Sequence, residues 1–212
     1  MYYKSPIDKI LLVGNGGHCG VITDALYRFN PHIKIGLVTK EPDSSPLFVG
    51  VDADLPRLLS EGWTQAFVAV GSVGDCSLRA KIARSLEELG FECPAIVDPT
   101  AIVSPSAVIG RGAFVGAGAV INAHAGIGDH AIINTHATVE HDCSVGHFSH
   151  ISPGTVLCGA VKVGNGAHVG AACCVRQGVS IGNNTLVGMG SVVTKDLPDG
   201  CVAFGNPCKI QK

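Results

Sequence analysis

Aromatic side chains make up only 5% of this 212-residue chain and charged residues only 15%. Soluble chains average about 25% charged residues and build their cores freely from Phe, Tyr and Trp. The formal net charge is −2 and no basic cluster occurs, which argues against a nucleic-acid partner. No apolar run approaches the roughly 20 residues that span a bilayer, so no integral membrane segment is expected. The opening MYYKSPIDK lacks an apolar signal core, so nothing in it directs export. None of the nine cysteines forms a CxxC pair, and only Cys173 and Cys174 are adjacent. That spacing is neither a zinc nor a disulfide framework, so free thiols in a reducing cytoplasm are expected. At 46% hydrophobic, the chain is too apolar to be disordered.

The chain is instead rich in glycine, with 28, and in a repeat. From Ala101 it reads AIVSPS AVIGRG AFVGAG AVINAH and continues in hexads without insertion to Asp196. The third position is aliphatic in all sixteen, from Val103 to Val193, and the first is always Ala, Cys, Ser, Thr or Val. A period of six fits neither a helix nor an isolated strand. It fits a short strand and a tight turn, repeated so that each strand adds an aliphatic rung to a narrow interior. Such an interior has no space for aromatics, and the pattern predicts a parallel β-helix.

The first hundred residues read differently. DKILLV (8–13), KIGLV (34–38), AFVAV (66–70) and AIV (95–97) are expected strands, and residues 21–29, 55–60 and 77–89 are expected helices. Leu78, Ile82, Leu86 and Leu89 set the buried stripe of the last helix. Alternating elements imply a small parallel sheet of Rossmann type over residues 1–98, followed by the solenoid over 99–212. The strand-to-helix turn Gly14-Asn15-Gly16-Gly17-His18-Cys19-Gly20 is a phosphate-binding candidate. Its spacing is GxGGxxG, and Thr39-Lys40 at the end of the second strand lacks the acid that holds a ribose in dinucleotide enzymes. A mononucleotide-linked ligand is therefore favoured over a dinucleotide, with a purely structural turn as the other reading.

A short Rossmann-like unit with GxGGH followed by [LIV]-G-x-x-x-x hexads resembles the sialic-acid O-acetyltransferase-like family of hexapeptide-repeat acyltransferases. Within it, the chain most resembles the nucleotide-amino-sugar N-acetyltransferases of the bacillosamine and perosamine type. Gly74-Asp75-Cys76-Ser77-Leu78-Arg79 is similar to the family's G-D-N-x-x-R segment, and Asn134 to Cys143 (NTHATVEHDC) to its catalytic N-x5-E-H-[DE]-C. Phe148-Ser149-His150 and Gly205-Asn206-Pro207 fit its later motifs. The resemblance implies a left-handed prism of three hexads per coil, with residue i stacked on i+18. It also implies a homotrimer with acetyl-CoA, and no metal, in the clefts between prisms.

By the same resemblance, His141 is the general base, with Asp142 or Glu140 orienting it, and Gly159, one coil above, lends a backbone N–H to the oxyanion. Asn134, His150, Gly159, Ala171, Met189 and Lys209 are expected along the acetyl-CoA site, His150 also near the acceptor. Gly14, Gly16, Gly17, His18, Thr39, Lys40 and Ser72 are expected to bind the nucleotide sugar. The implied reaction is acetyl transfer to the 4-amino group of a UDP-amino-deoxysugar. Thr39, where UDP-sugar relatives often carry Asp, and Cys76 in place of Asn leave uracil, guanine and cytosine open. Sugar O-acetylation is the runner-up.

Six of the nine histidines fall between 124 and 150, and taken singly His124, His130 and His136 read as solvated corner residues. His136-x4-His141 has the ligand spacing of γ-type carbonic anhydrases, but Thr100 stands where their third ligand would be. A trimer that binds a sugar nucleotide without catalysis is the non-enzymatic alternative.

Overall fold

The computed structural model describes residues 7–211, so Met1–Pro6, most of the opening segment expected to lack a signal, and Lys212 lie outside it. The first unit contains β1 (Lys9–Val13), α1 (Gly17–Phe29), β2 (Lys34–Thr39), β3 (Phe48–Val51), α2 (Leu55–Ser60), β4 (Ala66–Val68) and α3 (Ser77–Leu89). Its strands form a parallel sheet in the order β3-β2-β1-β4. α1 packs on one face, where Ile10, Leu12, Ile22 and Leu26 are buried. α2 and α3 pack on the other, around Leu11, Leu58, Trp63 and Leu86.

Four details differ from the sequence expectation. α1 starts at Gly17, so the glycine loop itself forms its first turn. β3 was not anticipated. α3 buries Arg79, Ala83 and Leu86 and leaves Leu78 exposed, because the solenoid packs against its Arg79 side. Ile96–Val97 pairs in parallel with Phe114–Val115 and so opens the solenoid, where the sequence reading placed the last strand of the α/β sheet.

The solenoid is a parallel β-helix of seventeen two-residue strands, from Ile96–Val97 to Val192–Val193. From Ile96–Val97 to Cys174–Val175 each strand pairs with the one 18 residues later, as Gly126–Ile127 does with Ser144–Val145. Three flat faces result, and Val202–Phe204 extends one of them. The third-position residues from Val115 to Val193 are all at most 4% exposed. Burying one such side chain stabilises by roughly 1.5–3 kcal/mol, and the repetition makes that ladder the dominant core. Where the first position is polar, its hydrogen bonds are satisfied inside. Ser149 Oγ donates to the Gly164 carbonyl at 2.6 Å and Thr155 Oγ1 to the Gly170 carbonyl at 2.7 Å. Cys143 and Cys173 occupy equivalent places, and all nine cysteines are free. Both solenoid phenylalanines point outward. Phe114 enters the core beneath α1, and Phe148 stacks on His130 with centroids 4.9 Å apart.

The sixth hexad position turns each corner. It has positive φ at every repeat from Gly112 to Gly190, including His124 (61°), His130 (54°), His136 (54°) and Asp142 (60°). This region is uncommon for residues other than glycine. His130 departs from the expected solvated corner: it is 3% exposed, and its Nε2 lies 3.1 Å from Glu87 Oε1 on α3. The buried Arg79 guanidinium bonds the His130 and Phe148 carbonyls and Ser72 Oγ, tying the α/β unit to that corner. Arg28 of α1 adds a 2.6 Å ion pair to the buried Asp98 at the solenoid entrance.

Substitutions at two corner glycines separate backbone strain from packing. At Gly178 φ is +74° and nothing crowds a new methyl, so Gly178→Ala costs only the ~1 kcal/mol of a left-handed backbone. At Gly112 the methyl collides with the His130 ring, adding about 1–3 kcal/mol of overpacking. Urea unfolding midpoints of the two variants measure the difference.

Candidate active site

His141 occupies the fifth hexad position at a corner of the prism, with a side chain 62% exposed. The following residue, Asp142, has φ of 60° because it is the corner, and this turns its carboxylate back onto the ring. Asp142 Oδ2 lies 2.8 Å from His141 Nδ1. An ionised carboxylate only accepts, so Nδ1 carries the proton and the Nε2 lone pair faces outward. The hydrogen bond to Asp142 is the largest influence on the ring and raises its pKa above the usual histidine value; Glu140 adds to the rise through its charge. Glu140 also accepts a long hydrogen bond, 3.4 Å, from the His141 amide.

Gly159 stacks directly above His141 in the 18-residue register. A Cβ built there would stand 2.6 Å from His141 Nε2, so only glycine leaves that nitrogen unobstructed. Among the described residues the Gly159 N–H has no acceptor, while the next amide, Ala160 N–H, bonds the His141 carbonyl at 2.9 Å. An unengaged backbone donor beside an exposed imidazole nitrogen is an arrangement that can hold a developing oxyanion.

Asn134 and His150 meet on another part of the prism. His150 donates from Nδ1 to the Ser72 carbonyl at 2.9 Å, which leaves Nε2 to accept from Asn134 Nδ2 at 3.1 Å. Burial, with help from neighbouring Arg79, pushes the His150 pKa down to about 4 despite the Ser72 contact. The ring is therefore neutral, a fixed hydrogen-bonding link between the two units. Ala171 and the exposed Met189 stack at the corner that Asn134 enters, and Lys209 is exposed near the end of the solenoid.

The α/β unit holds a cavity of about 410 Å³ between α1 and the β2–β3 connection. Of the residues expected at the nucleotide sugar, Gly16 and Gly17 line it, together with Asn15, whereas Gly14, His18, Thr39, Lys40 and Ser72 do not. Thr39 is buried, and its hydroxyl donates to the Glu41 carbonyl. Asp43, four residues beyond the end of β2, also lines the cavity, and the sequence reading did not single it out. Gly14, at φ 114°, lies against Val70. His18 turns inward and packs edge-on against Phe114 at 5.2 Å, and burial first, then Arg79, pushes its pKa down to about 4. His136 and His141 find no third ligand: among the described residues no group of three or more His, Cys, Asp or Glu is arranged to hold a metal ion.

A β-helix of hexapeptide repeats with an Asp-oriented histidine under a glycine amide defines a hexapeptide-repeat acyltransferase. Residues 9–86 match the PglD N-terminal domain family, and residues 160–195 match the hexapeptide repeat of succinyl-transferase. The perosamine N-acetyltransferase of Caulobacter crescentus, solved as its H141N variant with CoA and GDP-perosamine, is 40% identical, with 98% of each chain covered and a TM-score of 0.91. The acetyltransferase domain of PglB from Neisseria gonorrhoeae FA1090, solved with acetyl coenzyme A, is 34% identical over 97% of this chain and 100% of that one, with a TM-score of 0.91. WeeI from Acinetobacter baumannii AYE shares the fold at 20% identity and a TM-score of 0.85. A search of the curated proteins returned no match. The chain belongs to the PglD-type family of hexapeptide-repeat sugar N-acetyltransferases and is an acetyl-CoA-dependent acyltransferase.

The crowding at Gly159 makes a direct prediction. Gly159→Ala lowers acetyl transfer about 10²-fold, the cost of displacing a catalytic group by an ångström, while the thermal midpoint stays near that of the unaltered protein.

Proposed function

We propose that the protein transfers the acetyl group of acetyl-CoA to the 4-amino group of a nucleotide-linked amino-deoxysugar, with His141 as general base. The observation that carries this reading is the His141–Asp142 pair beneath the unengaged Gly159 amide. The amine must shed a proton as it attacks the thioester carbonyl. Neutral His141 takes that proton on Nε2, and Asp142 stabilises the resulting imidazolium. The Gly159 N–H donates to the tetrahedral oxyanion, and collapse of that intermediate expels the CoA thiolate. No acyl-enzyme is needed, so the cysteines have no part. The Caulobacter relative, whose structures include H141N and H141A variants with GDP-perosamine, supports both the amine acceptor and a histidine at the centre. A uridine nucleotide, preferred on sequence grounds, has no comparable support.

The register supports a homotrimer with sites shared between chains, and nine free thiols suit a reducing cytoplasm. The α/β unit covers the face bearing Phe114, Ile132 and His150. His141 lies on the corner between the other two faces, and Asn134, Ala171 and Met189 belong to a different corner. A nucleotide held by one chain's α/β unit is thus presented to the His141 of a neighbour, beside the neighbouring corner's acetyl-CoA groups.

Three outcomes test this reading. Release of CoA thiol from acetyl-CoA is expected only with nucleotide-linked 4-amino sugars, and His141→Ala lowers its rate by 10²–10⁴-fold. Because Asp142 raises the His141 pKa, kcat/KM climbs with pH through a limb above the usual histidine value, and Asp142→Asn moves that limb to lower pH. Mixed trimers of a His141→Ala chain with a Gly17→Trp chain, each inactive alone, regain part of the activity. No recovery would contradict shared sites.

A further inference from the structure

We propose that Asp43, held beside Asn15 at the rim of the α1–β2 cavity, selects guanine as the base of the nucleotide sugar. The inference rests on the nucleotide-sugar reading above and specifies its nucleotide. The cavity, about 410 Å³, has space for a nucleoside, and Leu12, Ile35, Leu37 and Leu47 give it apolar walls that suit the faces of a planar base. Hydrogen-bonding groups gather at the rim. Asn15 Nδ2 donates to Asp43 Oδ2 at 2.6 Å, and the Ser45 amide donates to Asp43 Oδ1 at 2.7 Å. The Ser45 amide first, then Asn15, hold the Asp43 carboxyl below the usual range, so it stays an ionised acceptor.

A carboxylate fixed beside an amide N–H presents acceptors next to a donor. Guanine matches this pattern: N1–H and the exocyclic N2–H2 donate to Asp43, and O6 accepts from the second N–H of Asn15. Uracil has a single N–H between two carbonyls, so one oxygen meets the carboxylate in either orientation. Cytosine and adenine each bring an unprotonated ring nitrogen to the place of N1–H. The remaining role for such an acid is to accept from the ribose hydroxyls, as in dinucleotide folds. There the acid stands at the end of the second strand, a place taken here by Thr39, which is buried and bonded within its own loop.

The test is calorimetric titration of the intact protein, without acetyl-CoA, using GDP, IDP, UDP and CDP. IDP lacks the exocyclic amine, so it interrogates the carboxylate contact with no substitution in the protein. The expected result is GDP binding about 10-fold or more tighter than IDP and UDP, the discrimination of a well-formed bidentate pair. Asp43→Asn then removes the GDP–IDP difference and changes UDP binding by less than about 3-fold. Equal affinity for GDP and IDP, preference for a pyrimidine, or an Asp43→Asn loss equal for all four nucleotides would each overturn the assignment; the last is the ribose outcome. Binding is read without turnover, so GDP selectivity in a protein that transfers no acetyl group supports the base assignment and tells against the proposed reaction instead.

Discussion

Everything in the second half of the molecule depends on the left-handed backbone at the sixth hexad position. That conformation recurs at each corner from Gly112 to Gly190 and fixes the advance of the chain at 18 residues per coil. The rung of aliphatic side chains follows from it, because only a constant advance keeps Val139, Leu157 and Val175 in one column. So does the chemistry. Asp142 reaches back to the neighbouring imidazole because its own φ is 60°, and Gly159 comes to rest against Nε2 because it is one coil later. The geometry of the proposed catalytic group is the ordinary corner geometry of the solenoid, with His, Asp and Gly in place of its usual occupants.

The two units share an apolar seam, where Ile96, Phe114 and Ile132 of the solenoid enter the core beneath α1, and polar groups are set into it. Arg79 carries a charge into the junction and, among the described residues, its hydrogen-bond partners are neutral oxygens, namely the Ser72 hydroxyl and two corner carbonyls. A buried charge is tolerated when its hydrogen bonds are satisfied, and here its field also helps to keep His18 and His150 neutral. His150 then connects the Ser72 backbone to Asn134. The junction thus holds the α/β unit in fixed relation to one face of the prism and leaves the His141 corner uncovered.

The solenoid was legible in the sequence because each rung restates the same requirement sixteen times. Residues 95–100, AIVDPT, meet that requirement as well, yet next to helices and longer strands Ala95–Val97 reads equally as the last strand of an α/β sheet. The His141–Asp142 pair was legible through its motif, and the 18-residue register pointed to Gly159. The fates of other residues depend on partners distant in sequence. His130 is buried because Glu87 and Arg79 on α3 come to it, and Leu78 is exposed because the helix turns Arg79 toward the solenoid instead. Asp43 enters the cavity through the curl of a loop that no periodicity describes.

The central claim is that an amine presented by one chain is deprotonated by the Nε2 of His141 in a neighbour. A crystal structure with CoA and an intact nucleotide-linked 4-amino sugar measures this directly. The account predicts the sugar nitrogen within about 3.2 Å of His141 Nε2, the sugar's nucleotide bound in the adjacent chain, and the Gly159 N–H directed at the position of the thioester oxygen. An amine lodged beside any other base, or a nucleotide and His141 meeting within one chain, would contradict it.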